Sequence, residues 1–136
     1  MHLKTFIPNM IFALALVSHG TNAAVVDDLL KEYKTQGAAD FNAARGDAFW
    51  HKKFPDPENP GKTQSCGTCH GDDLKQKGKH ATTGKVIEPL APSANKERLT
   101  DPKFVEKWFK RNCKSVAGRE CTTQEKGDIL IYLRGQ

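Results

Sequence analysis

Residues Cys66-Gly67-Thr68-Cys69-His70 constrain the chain more than any other stretch. Two thiols separated by two residues and followed at once by a histidine form the C-x-x-C-H pattern of covalent haem attachment. The thiols add across the two vinyl groups of one porphyrin, and the adjacent imidazole takes the iron's fifth position. Haem presents a large apolar surface, so a short chain can be built around it. Two other chemistries use a close cysteine pair. A structural zinc site needs two further ligands, commonly a second close pair, and Cys113 and Cys121 stand too far apart to supply one. A thioredoxin-like dithiol wants a βαβ pattern around it, and none is present.

The chain has 136 residues, enough for one domain. Its first 23 residues read as a secretory signal peptide. His2 and Lys4 precede an apolar run from Ile11 to Val17, polar residues follow from Ser18 to Asn22, and Thr21 and Ala23 are placed as a cleavage site. Cleavage after Ala23, or one residue later, leaves residues 24–136 as the folded domain. The apolar run is too short for a membrane anchor, and Pro8 and Asn9 interrupt its upstream side. The expectation is an exported protein, located in the periplasm and not embedded in the membrane. Haem c is attached outside the bacterial cytoplasm, where disulfides also persist. With two cysteines committed to haem, Cys113 and Cys121 are free to pair. The formal charge is +5, and losing Lys4 with the signal leaves +4. In this compartment a nucleic-acid partner is not expected. The lysines make a solvated basic surface or, around a haem edge, a field that steers an acidic redox partner.

The mature chain reads as helices and loops. Val25, Val26, Leu29, Leu30 and Tyr33 have helical spacing, ended by Gly37. A second helix runs from Asn42 or Ala43 to about Lys52, with Gly46 suggesting a close helix crossing. Phe54 to Gly61 holds three prolines and is a loop. A short helix begins near Ser65. Val86 to Pro92 is an apolar loop expected to wrap the proximal side of the haem, where one of its carbonyls accepts the Nδ1 proton of His70. Thr100-Asp101-Pro102 starts a helix that runs to about Asn112. Thr122 and Glu125 form a capping box that opens the last helix. No strand pattern is visible.

The iron's sixth position is the open question. Electron-carrying cytochromes c use a methionine there, but Met1 and Met10 are the only methionines and both leave with the signal peptide. The candidates are His51, His80, a lysine, Asn112, or nothing. His51 lies among charged residues, His80 in a polar Gly-rich stretch, and a lysine would have to lose its proton on burial. Asn112 follows Val105 by seven and Trp108 by four, which places it on the apolar face of its helix, where its amide needs a partner. A helix cap, a buried hydrogen bond and a distal-pocket role all satisfy that need. A Cys113–Cys121 bridge would close a loop of about nine residues, worth roughly 2.6 kcal/mol by chain entropy.

Gly61 to Gly71, the Ile87-to-Ser93 loop, and the run from Val105 to Cys113 and on through Arg119 to Cys121 together resemble the sphaeroides haem protein (SHP) family of bacterial c-type cytochromes. The resemblance implies an all-α fold, a small cytochrome c-like arrangement of four to five helices around one covalent haem c. It implies iron bound by His70 and Asn112, and a Cys113–Cys121 disulfide. It also implies a high-spin iron, loss of the asparagine on reduction, and binding of O2, NO or CO. Multihaem c-type and membrane b-type cytochromes are the implied redox partners. An amide oxygen is a hard, weak donor suited to ferric iron, so Asn112 is the expected mobile ligand. Nitric oxide dioxygenase is then a reasonable enzymatic expectation. The alternative is a plain low-spin electron carrier, with His80 as sixth ligand and no substrate.

Overall fold

The computed structural model describes residues 21–136. Residues 1–20, the bulk of the expected signal peptide, lie outside that range. Nine short elements follow in chain order among the described residues: α1 (Asn22–Thr35), α2 (Ala43–His51), β1 (Phe54–Pro55), β2 (Thr63–Gln64), α3 (Gly67–His70), β3 (Gly78–Lys79), β4 (Val86–Ile87), α4 (Pro102–Ala117) and α5 (Thr123–Arg134). The fold is mainly helical, with five helices, as expected. The strands were not expected. They form two antiparallel hairpins, β1 with β2 and β3 with β4, registered at Phe54–Gln64 and Gly78–Ile87. Each strand is two residues long, too short to leave an alternating pattern in the sequence.

Side chains cap the helix starts. The Asn42 side-chain Oδ1 accepts from Ala44 N and Arg45 N at the head of α2. Asp101, rather than the neighbouring Thr100, caps α4, accepting from Lys103 N and Phe104 N, with Pro102 in the first turn. The Thr122–Glu125 capping box opens α5 as expected. α4 runs past Asn112 to Ala117 and stops at Gly118, which is left-handed (φ 70°). The sequence reading ended this helix too early, because Lys114 to Ala117 carries little apolar signal while still allowing helix.

α5 is the shared wall of the interior. Leu130 joins Val25, Val26, Leu29, Tyr33 and Val105 in one cluster. Ile129 and Leu133 join Trp50, Leu74 and Ala91 in a second. Completely burying a side chain such as Leu130 is worth about 2 kcal/mol. α2 crosses α5 at Gly46, where an added Cβ would collide with the Asp128 carbonyl and the Tyr132 side chain. Asp128, itself buried, locks that crossing. Its carboxylate accepts Arg45 Nε at 2.8 Å, Arg45 Nη2 at 2.8 Å and the Asn42 amide at 2.7 Å. α1 is fastened to α4 through the buried Tyr33 hydroxyl, which donates to Glu106; Lys126 of α5 pairs with the same carboxylate at 2.7 Å. Among the described residues no helix is long and apolar enough to cross a membrane.

Candidate haem site

The second cluster supports the C-x-x-C-H segment. Cys66 packs against that cluster, and α3 carries Cys69 and His70 one turn on. Ser65 is buried, and its amide donates to Thr68 Oγ1 at 2.9 Å, which sets the turn into α3. Both Cys66 and Cys69 are free thiols. Burial, with a smaller effect of Cys69, pushes the Cys66 thiol up to about 11. The hairpin β3–β4 leans on the other sulfur, with the Ala81 amide donating to Cys69 Sγ at 3.3 Å. Gly78 permits this approach, because a Cβ there would run into the Cys69 carbonyl.

The His70 ring is half-buried, 5.4 Å from Trp50 between centroids. Burial first, and the Arg98 charge second, push its pKa down to about 4. The imidazole is therefore neutral at pH 7, the form that ligates a metal. Trp50 is 4 % exposed, and its indole Nε1–H is buried without an acceptor. A buried donor left unpaired costs roughly 1–3 kcal/mol, so the site holds a hydrogen bond in reserve for a polar group.

The loop expected to wrap the proximal side of the haem has its carbonyls taken by other partners. The Pro89 carbonyl accepts Arg98 Nε at 2.8 Å and Asn95 Nδ2 at 3.3 Å, and the Glu88 carbonyl accepts Arg98 Nη2 at 2.7 Å. The Leu90 and Ala91 amides both donate to the Leu74 carbonyl at 3.0 Å. Arg98 and Asn95 were not singled out from the sequence, since nothing local marks a side chain that works across a turn.

Asn112 is exposed, which corrects its assignment to the buried face of α4. The positions turned into the protein are Val105 and Cys113. Phe104, Trp108 and Asn112, four residues apart in turn, line the adjacent flank. Phe104 is 46 % and Trp108 38 % exposed, with ring centroids 5.9 Å apart. Large aromatics left on one exposed flank mark a surface built to be covered. Arg111 stacks its guanidinium over Trp108 at 5.1 Å. Cys113 and Cys121 form a disulfide across a separation of 8 residues. His51 is exposed beside Asp47 and Asp72. His80 is exposed in the β3–β4 turn, its Nδ1 accepting from the Thr82 and Thr83 amides.

Two free thiols, a neutral imidazole and an unpaired indole donor suit a covalently attached haem. Fold and site together define a small monohaem c-type cytochrome. Within that class the chain belongs to the SHP-like family. It is 46% identical to cytochrome c-type protein SHP of Cereibacter sphaeroides over 110 residues, covering 79% of this chain and 81% of that protein. The structure of oxidised SHP, an oxygen-binding cytochrome c, superposes with a TM-score of 0.73 at 41% identity, covering 88% of this chain and 100% of that one. Cytochrome c'' of Methylophilus methylotrophus is 39% identical over 88 residues, covering 65% of this chain and 60% of that protein. Its solution structure, which addresses haem-ligand detachment, gives a TM-score of 0.69 at 31% identity, covering 82% of this chain and 93% of that one. Residues 36–133 also match a family described as a domain of unknown function (DUF1924).

Proposed function

We propose that this protein is a periplasmic cytochrome whose sixth iron ligand, Asn112, is released on reduction so that the site takes up a diatomic gas. The observation that carries the reading is the flank of α4 on which Asn112 continues the exposed line of Phe104 and Trp108. Haem c supplies a one-electron couple and, when ferrous, a position for O2, NO or CO. The chain's residues do the rest. Cys66 and Cys69 would tether the group, and His70, in its neutral form, would ligate the iron. Asn112 would offer its amide oxygen to the ferric iron and would release it on reduction. The amide NH2 then becomes a donor to the incoming gas. The oxygen binding named for SHP and the ligand detachment named for cytochrome c'' support this reading by similarity. Multihaem c-type and membrane b-type cytochromes are the proposed electron donors.

The catalytic extension is nitric oxide dioxygenase: NO, O2 and one electron from the reduced protein give nitrate. Optical spectra of the oxidised, reduced and CO-treated protein test the ligand exchange. The wild type should change coordination on reduction and shift with CO. Asn112→Ala should abolish the reduction-linked change. A reduction-linked change of coordination that persists in that variant would sink the proposal.

A further inference from the structure

α4 presents a row of lysines that the fold leaves without acidic partners. Lys103, Lys107 and Lys110 stand four and three residues apart, and at about 100° per residue they fall within an arc of about 60° on one side of the helix. All three are exposed. They line a hollow beside Cys121, together with Glu106, Glu120 and Lys126. The two acids there are already engaged. Glu106 pairs with Lys126 at 2.7 Å and accepts the Tyr33 hydroxyl, and Glu120 pairs with Lys114 at 3.3 Å. No ion pair among the described residues takes up Lys103, Lys107 or Lys110. Like charges four residues apart repel along a helix, and Lys103 lies in the first turn, where the helix dipole disfavours a cation. The row therefore does nothing for the stability of α4. It is a concentrated positive field that runs for about 10 Å along the helix.

We propose that the Lys103–Lys107–Lys110 row is the docking surface for the acidic face of a partner protein that reduces this one. The inference rests on the reading of the chain as a cytochrome reduced by another protein, and it adds where that partner sits. One electron passes, which the partner loses and the cytochrome gains. Carboxylates set against three unpaired lysines gain their attraction without first breaking an ion pair. The field also acts before contact, since charge of one sign gathered in a hollow raises the rate of encounter with the opposite sign. The surroundings favour a protein over an anionic membrane. The row is narrow, and Glu106 and Glu120 set negative charge within the same hollow, which suits a partner surface of matched signs better than a uniform lipid sheet. The row itself offers no apolar side chain to insert among lipids. Phe104 and Trp108 are exposed on the next flank of α4, which the Asn112 reading gives to the haem, so a partner on the lysine row stands one flank round the helix from the cofactor.

Voltammetry of the haem-loaded protein on gold coated with a carboxylate-terminated monolayer supplies the test, the monolayer standing for the partner's acidic side chains. Two triple variants carry the same change of charge. One combines Lys103→Gln, Lys107→Gln and Lys110→Gln on α4; the other combines Lys75→Gln, Lys79→Gln and Lys85→Gln on and beside the β3–β4 hairpin. Glutamine matches lysine in helix propensity, so α4 stays folded, and Lys107→Glu alone serves as a second variant. At low salt the α4 triple variant should bind the monolayer about tenfold more weakly than wild type, and the hairpin variant much less so. Lys107→Glu should weaken binding in the same direction. These differences should vanish at high salt, because the charges are exposed. Equal losses in the two triple variants would trace binding to net charge and overturn the proposal, as would an α4 variant that binds like wild type. Co-sedimentation with phosphatidylglycerol vesicles examines the other anionic surface. Capture of wild type at physiological salt that is lost in the α4 variant would assign the row to a membrane and overturn the proposal too. The reduction-linked change of coordination is read separately from optical spectra, so its failure and a failure of docking are told apart.

Discussion

Each titratable or ligating residue near the haem motif has a role that its own surroundings decide. His80 illustrates this. Its Nδ1 accepts two amides of its own turn, which spends that nitrogen on holding the β3–β4 connection. His80→Ala should therefore leave the oxidised and reduced spectra unchanged and slightly loosen the hairpin; a lost or shifted haem band in either state would restore His80 as sixth ligand and favour the plain electron carrier. The residues of the C-x-x-C-H stretch were legible in the sequence because their chemistry is local. Arg98 was not, because its role as a brace depends on a loop nine residues away. The placing of Asn112 was misread. Its spacing from Val105 and Trp108 placed it on the buried face of α4, whereas it is exposed, because helical spacing alone does not fix how far round the helix the packed face extends.

At the level of elements, the helix starts were written plainly: Asn42, Asp101 and Thr122 each cap the helix expected there. The end of α4 was missed because helix continues where apolar spacing stops, and the two-residue strands were missed for want of length. Gly46 was read correctly as a sign of a close crossing. The consequence is testable. Gly46→Ala improves helix propensity by about 1 kcal/mol, but the new methyl meets backbone of α5 rather than a yielding side chain. Overpacking of that kind typically costs about 1–3 kcal/mol, so the sign is decided by the clash. Chemical denaturation should show a lower midpoint for the variant; an equal or higher one would mean that α2 can ride further from α5 at no penalty.

For the molecule as a whole, the interior is divided between two clusters that meet on α5, and the haem motif leans on only one of them. Stability and ligation are therefore partly separable. Replacing Cys113 and Cys121 together by Ala removes the disulfide, a loss of about 2.6 kcal/mol by chain entropy. The oxidised spectrum should nevertheless persist, because α4 holds Asn112 within continuous helix that runs on to Ala117. Thermal unfolding and an optical spectrum of the same sample check both halves. A spectrum that changes while the melting temperature does not would reverse the assignment.

That unbroken helix also bears on timing. A carboxamide mounted on a rigid backbone can depart by turning two side-chain torsions, and exposed side chains hop between rotamers in picoseconds to nanoseconds. A lid made from a loop would lag by nanoseconds to microseconds while the main chain rearranged. For the ligand role proposed for Asn112, release would then call for no rearrangement of the main chain, only rotation of the side chain once its bond to iron has broken.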